Sequence, residues 1–416
     1  MKTKTKFIGL AMAALAAASV AAFLIWLFTL EGMKGLSAWG WAKIFTAIGV
    51  AGALPLLLYL AATLARGLRA EGSKAGAALS GISLALAAAA ILAVAGLTAY
   101  LWSKGHAFSG NVPALNLVDP AKGIVPADQG TGPGGKVVAG GPTLRLALSS
   151  DPHWGASTSD PGARTAILKA VAAETPRRDA LFILGDNTQL GMNEGEWRAE
   201  AEDLSANLGG AAGLAVRPVL GNHDALFGGQ EHFVQYYFPK GFSTDSGSPY
   251  WYSMDAGPAV IVVLDLLWGA EEFSPAKRAW LEKTLASVPA DKRIIVLTHC
   301  FFAASGYVDG GYPWFDHYGT LAEVSPILEK YKVDLVVSGH NHYMELLERN
   351  GVTYALVGAM GGKLDPVPTH VSPWSKWLGQ GHFGWLDLDV TKAGIALGFR
   401  DYRGEVLETA DLPATR

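Results

Sequence analysis

The chain has almost no cysteine. Of its 416 residues only Cys300 carries a thiol, which excludes an intrachain disulfide framework and leaves the redox compartment open. Charge is scarce as well: 17% Asp, Glu, Lys and Arg stand against 50% hydrophobic residues, an unusual balance for a wholly soluble protein of this length. Internal repeats are missing, and so is a basic region in the larger part of the chain. Residues 1–143 hold 11 Lys/Arg and 4 Asp/Glu, which leaves 22 and 33 for residues 144–416. An acidic region of that kind is a poor electrostatic match for nucleic acid, and no nucleic-acid partner is expected.

What the chain does have, first, is three apolar runs free of charge. Residues 7–30, 44–65 and 76–102 are each long enough, at about 1.5 Å per residue, to cross a hydrocarbon core of ~30 Å as a helix. The first follows Lys2, Lys4 and Lys6, a basic start that a signal peptide would share, but its apolar core is too long for one and two more runs follow. Residues 1–103 are therefore expected to be a membrane region of three transmembrane helices, with the lipid bilayer as a partner. Three basic residues precede span one and three follow span two (Arg66, Arg69, Lys74), against two after span one (Lys34, Lys43) and Lys104 after span three. That bias places the N-terminus in the cytoplasm and the remainder outside it, with Trp39, Trp41, Tyr100 and Trp102 at the outer interface. No charge lies within the runs, so they read as an anchor rather than a transport path. Residues 104–143, with GTGPGGKVVAGGP at the extreme, read as a Gly/Pro-rich linker.

From residue 144 short apolar runs alternate with helical stretches, the pattern of an α/β domain over 144–416. Five polar motifs stand at the ends of expected strands: Asp151-Pro152-His153, Gly185-Asp186-Asn187, Gly221-Asn222-His223-Asp224, Thr298-His299 and Gly339-His340-Asn341-His342. Open α/β sheets place their sites at such carboxyl ends. Two divalent ions about 3.5–4 Å apart neutralise phosphoryl oxygens and generate a hydroxide nucleophile at neutral pH, and they need mixed imidazole and carboxylate ligands. Asp151, His153, Asp186, Asn222, His299, His340 and His342 supply seven such groups. Their high imidazole share favours Mn, Fe, Zn or Co over Ca or a purely oxygen-bound Mg.

This ordered series, DxH, GDN, GNHD, a strand-end His and GHNH over about residues 144–362, resembles the calcineurin-like metallophosphoesterase superfamily. The resemblance implies an α/β fold in which a β-sandwich is flanked by helices. It implies that Asp151, His153 and His342 hold one metal, that Asp186 bridges, and that Asn222, His299 and His340 hold the other. His223 would protonate the leaving oxygen, and Asp224 would accept a hydrogen bond from that imidazole. The implied activity is hydrolysis of phosphate mono- or diesters, the alternative being a catalytically silent metal-binding or sensing member of the fold. Anchoring near a bilayer makes a lipid-linked or cell-envelope phosphate an attractive substrate.

Residues 250–342 are also similar to the purple acid phosphatase branch. That branch has Asp-x-Gly where this chain has Asp151-Pro152-His153, and a metal-bound tyrosine where this chain has Gln189. The DxH type with an ordinary divalent pair is therefore expected. Cys300 reads as a buried, inert thiol. The aromatic loop 307–318 reads either as a self-packed loop or as a substrate-facing lid, with His317 and Asn187 as candidate phosphate contacts.

Overall fold

The computed structural model describes residues 108–129, 141–309 and 311–415, together with isolated positions between 57 and 103. The chain divides into two compact units, Met1–Phe108 with Leu226–Gly228, and Ser109–Ala225 with Gly229–Arg416. In the first, the described positions between 57 and 103 are helical. The expected span over 7–30 lies outside the described residues, and those over 44–65 and 76–102 are described only at scattered positions. Among the described residues, no helix is long and apolar enough to cross a membrane.

The second unit runs β1 (Leu144–Ser149), α1 (Pro161–Ala173), β2 (Ala180–Leu184), α2 (Glu194–Leu208), β3 (Ala215–Val219), α3 (Gln230–Tyr237), β4 (Tyr252–Ala256), β5 (Ala259–Val263), α4 (Pro275–Ser287) and β6 (Arg293–Leu297). There follow β7 (Tyr307–Asp309), β8 (Tyr312–Trp314), α5 (Tyr318–Glu323), α6 (Ser325–Lys330), β9 (Leu335–Ser338), β10 (Met344–Arg349), β11 (Val352–Val357), β12 (Ser375–Gly379), β13 (Gly384–Thr391), β14 (Gly394–Asp401) and β15 (Val406–Pro413). Two sheets face each other, one ordered β15-β14-β13-β1-β2-β3 and the other β12-β10-β11-β9-β6-β5-β4, with β7-β8 as a separate hairpin.

The apolar residues form three layers. Leu146, Phe182, Val219, Ile261, Leu297, Val337 and Leu386 belong to a core between the sheets. Leu281, Leu285, Ile327 and Leu328 cover the outer face of the seven-stranded sheet. Ile167, Leu168, Trp197, Leu204 and Phe233 cover that of the six-stranded one. The expected mixed α/β sandwich flanked by helices is therefore present. The caps are legible too: Asp160 accepts the Ala163 N–H at 3.0 Å and Ser274 the Lys277 N–H at 3.3 Å, each just before a proline at the helix start. The helical segment after β8 is split into α5 and α6, because Pro326 lacks the N–H that an unbroken helix would use there.

The strand directions position the site. β1, β2 and β3 are mutually parallel, as are β5, β6, β9 and β11 in the other sheet. The loops after β1, β2, β3, β6 and β9 therefore carry all five motifs.

The stretch expected as a linker differs from that expectation over its described part. Val118 donates to Val216 O at 3.2 Å and Val216 to Asn116 O at 2.8 Å, so Leu117 extends the β3 edge. Ile124 donates to Asp255 O at 2.9 Å, and Val118 and Ile124 enter the inter-sheet core. Two apolar side chains spaced among Pro and Gly have no period, which is why composition alone read this segment as a tether.

Candidate metal centre

Four of the seven candidate ligands sit in left-handed backbone: Asp151 at φ 55°, His153 at 47°, Asp186 at 50° and His340 at 72°. Such conformations cost non-glycine residues energy and persist where the surroundings enforce them. Asp151 and His153, two residues apart, converge through a tight turn of this left-handed backbone. It is pinned by Asp151 N–H to Gly185 O at 3.1 Å and His153 N–H to Asp186 O at 3.0 Å, so the first two motifs lock together. Gly221 is required by close approach, since a Cβ there would lie 2.0 Å from Asp186 N.

Three groups of ligand atoms result, each within 4.8 Å: Asp151, His153 and His342; His153, Asp186 and His223; Asp186, His299 and His340. His153 and Asp186 are shared, which gives two adjoining positions. Asn222 joins the second, its Oδ1 lying 2.7 Å from His299 Nε2. All seven expected ligands are thus brought together, drawn from both sheets.

The donor chemistry fits a pair of cations. His299 Nδ1 lies 2.8 Å from Leu184 O, His342 Nδ1 lies 2.6 Å from Lys363 O, and His153 Nδ1 lies 3.0 Å from Gln189 Oε1. Each acceptor draws the ring proton to Nδ1, so in the neutral imidazoles the Nε2 lone pairs point inward. There they meet other acceptors: His153 Nε2 is 3.3 Å from His342 Nε2, and His299 Nε2 is 2.9 Å from His340 Nδ1. Asp151 Oδ1 is buried with no hydrogen-bond partner. Lone pairs converging on one another repel unless a proton or a cation lies between them. In the absence of metal, protons fill part of this role. Burial opposes charge on His342, but the Asp151 carboxylate outweighs it and pushes the ring up to about 9. Burial holds His153 down to about 3 and His340 well below the usual range. These buried neutral rings are suited to metal.

Partners outside the ligand set fix its geometry. Asp151 Oδ2 accepts the His340 N–H at 2.9 Å, and Asp186 Oδ1 accepts the His223 N–H at 2.9 Å. Asp365, which sequence reading missed, accepts the His342 N–H at 2.8 Å and the Tyr307 hydroxyl at 2.9 Å. Trp268, also missed, meets the His340 ring edge-on at 5.5 Å, beside Trp314 at 4.9 Å and Phe301 at 5.8 Å. Neither carries a motif; only the fold brings them here.

His223 lies beside the pair, its Nε2 4.0 Å from Asp186 Oδ2. The expected hydrogen bond from His223 to Asp224 is absent. His223 Nδ1 instead faces Gln189 O at 2.8 Å. Asp224 points the other way, accepting from Thr188 N, Gly221 N and Asn187 Nδ2, each at 2.8 Å. Adjacent side chains at this turn diverge, so Asp224 braces the loop and does not hold the imidazole. Burial, with Asp186 nearby, pushes its carboxyl up to about 6.

Asn187 is likewise engaged in the scaffold, donating to Val219 O at 2.8 Å as well as to Asp224. His317 caps α5 by accepting the Thr320 N–H at 3.2 Å, and its ring meets Phe301 edge-on at 5.9 Å. His317 falls in none of the three ligand groups. Cys300 is buried, as expected.

Residues 144–344 match the family described as calcineurin-like phosphoesterase. A purple acid phosphatase of Glycine max is 31% identical over 150 residues, covering 33% of this chain and 29% of the relative. The Fe(3+)-Zn(2+) purple acid phosphatase 12 of Arabidopsis thaliana is 30% identical over 156 residues, covering 36% and 31%. The chain thus spans about a third of the length of these curated relatives. Among solved structures, the yellow lupin (Lupinus luteus) purple acid phosphatase PPD1 superposes with TM-score 0.54 at 17% identity, covering 65% of this chain and 54% of that one. GAP50, the anchor in the inner membrane complex of Plasmodium, superposes with TM-score 0.50 at 22% identity, covering 66% and 90%. At such identities the two structures establish the fold alone. Residues 144–344, which carry the five motifs in order, thus match a calcineurin-like phosphoesterase domain and are similar in sequence to the purple acid phosphatases.

Proposed function

We propose that this protein is a membrane-anchored, dimetal-dependent phosphoesterase that hydrolyses phosphate mono- or diesters. The observation that carries the reading is the convergence of three ligand groups linked through His153 and Asp186, the middle one including His223. When bound, the metal pair supplies a nucleophile from water at neutral pH and neutralises the phosphoryl oxygens. Asp151, His153 and His342 would hold one ion and Asn222, His299 and His340 the other, with Asp186 between them.

The chain's own groups do the rest. Gln189 O accepts the Nδ1 proton of His223, so in the charged imidazole Nε2 carries the second proton and faces the site. That proton can pass to the oxygen of the departing alcohol, the general-acid role. A silent binding member of the fold would be expected to have lost ligands, and all seven are filled here.

The three apolar runs support anchoring, and the Lys/Arg bias supports an extracytoplasmic catalytic domain. A lipid-linked or cell-envelope phosphate is supported by that anchoring and by apolar exposure in two loops. Of the seven exposed large hydrophobics among the described residues of the second unit, five (Val308, Tyr312, Tyr318, Val367 and Val371) lie within residues 308–318 and 367–371. The two segments are joined by paired Gly306–His370 hydrogen bonds of 2.8 and 2.9 Å, and Asp365, just before the second, accepts the His342 N–H. Apolar exposure of this kind suits an ester with an apolar tail.

The test is a substrate panel on the full-length, Mn-loaded protein in detergent. It compares aryl phosphate monoesters and diesters with short- and long-chain alkyl phosphates. Hydrolysis that rises with chain length is expected. Absence of hydrolysis on every ester by metal-loaded protein would overturn the enzymatic reading.

A further inference from the structure

Gln189 touches both histidines that the proposed reaction needs most. Its side-chain Oε1 lies 3.0 Å from His153 Nδ1, and its backbone O lies 2.8 Å from His223 Nδ1. Its own N–H donates to Trp154 O at 2.9 Å, which ties the residue to the turn that carries Asp151 and His153. The two imidazoles it contacts also touch each other, edge to face, with centroids 4.8 Å apart.

We propose that Gln189 is a positioning residue that fixes the tautomer and ring angle of His153, and thereby sets metal affinity at the position formed by Asp151, His153 and His342. The inference rests on the metal-binding reading above. An amide oxygen can only accept, so it selects the His153 tautomer with the proton on Nδ1. The lone pair on Nε2 then points inward, where Asp186 Oδ2 lies at 3.5 Å and His342 Nε2 at 3.3 Å.

His153 is buried, so no bulk water stands ready to replace a lost acceptor. Without Gln189 Oε1 the ring gains nothing from keeping its proton on Nδ1. The opposite tautomer puts a proton where the cation must bind. His153 belongs to two of the three ligand groups, and its ring packs on His223, so one side chain supports both binding and the placement of the acid. The backbone contact to His223 survives side-chain replacement, so the two roles of the residue are separable by mutation.

The experiment is calorimetric titration of Mn(II) and Co(II) into metal-free full-length wild type, Gln189→Ala, Gln189→Leu and Gln189→Glu. Apo melting temperature serves as a control for folding. Wild type is expected to bind two ions. Removal of the acceptor in Ala or Leu is expected to weaken one of them about 10- to 100-fold, the usual effect of losing a group that orients a ligand. Gln189→Glu, which still accepts from Nδ1–H, is expected to restore affinity to at least the wild-type level. Leu keeps the volume of the side chain, so it substitutes for Ala should Ala fail to fold. Wild-type affinity at both positions in a folded Ala or Leu variant would overturn the proposal, as would equal weakening in Leu and Glu. Failure of wild type to bind any ion would instead overturn the metal-binding reading itself.

Discussion

Asp224 turns its carboxylate back onto the start of its own turn, accepting the Gly221 N–H at 2.8 Å. The same carboxylate takes the Thr188 N–H and the Asn187 amide, so it joins the loops after β2 and β3. Asp224→Ala leaves these buried donors without an acceptor. It should lose about 2 kcal/mol or more of unfolding free energy, as for other buried networks broken on one side. Urea denaturation measures that loss. Since His223 bonds to Gln189 instead, the alkaline limb of the pH–rate profile, where the general acid loses its proton, should keep its midpoint in the variant. A shift of that midpoint by a full unit would restore the direct Asp224–His223 link that the motif suggested.

Replacing His223 tests proton donation separately from metal binding. In His223→Asn the metal content should be unchanged, because His223 belongs neither to the group of Asp151, His153 and His342 nor to that of Asp186, His299 and His340. Turnover should fall about 10²- to 10⁴-fold on alkyl phosphates. The loss should be much smaller on esters with acidic phenol leaving groups, which depart without a proton. Equal losses on both substrate types would remove the general-acid role.

Asp186 belongs to two of the three ligand groups, with His153 and His223 in one and with His299 and His340 in the other. Asp186→Asn should therefore disturb both positions, lowering metal stoichiometry below two and activity by about a hundredfold or more. Chelation of wild type should lower its melting temperature by simple linkage, since an ion present at 100 times its dissociation constant contributes about 2.7 kcal/mol. Elemental analysis and thermal melts check both statements. A variant with full activity would sink the bridging assignment.

Glu272, which is outside the ligand set, provides a pH prediction. Burial, and next the neighbouring Glu271, push its carboxyl from 4.5 up to about 7. The folded state therefore holds this proton more tightly than the unfolded chain does. Stability from the group is fully present below about pH 4.5 and is lost as pH rises to about 7. Glu272→Gln removes that loss while its amide oxygen can still accept the Leu267 N–H, a 3.4 Å contact in the native protein. The variant should match wild type near pH 4 and exceed it by about 1–2 kcal/mol near pH 8, the partial exposure of Glu272 reducing the full effect. Urea titrations at the two pH values decide it, and an equal difference at both would refute the titration.

Asp186, Asn222 and His340 are legible in the sequence because each stands where an apolar run stops. A buried strand announces itself through its short run of Val, Ile and Leu, and a polar ligand at its carboxyl end has no packing reason to be there. That local contrast survives in one dimension. The expected pairing of Asp224 with His223 did not survive, because adjacency along the chain says little about which way side chains turn when the backbone reverses. Asp224 and Asn187 are 37 residues apart, and their contact exists only because β2 and β3 lie side by side in register.

The same reason hid the role of Gln189, the presence of Asp365 and Trp268, which act through partners far away in sequence, and the docking of residues 116–118 on β3 and of Ile124 on β4. Hydrophobic period and the polar motifs were enough to point to the candidate ligands, their order and the strands that carry them. Which nitrogen of each ring faces inward, and what braces Asp224, was settled only when the chain folded. Those outcomes depend on hydrogen-bond partners supplied by neighbouring strands and loops, and no local pattern encodes them.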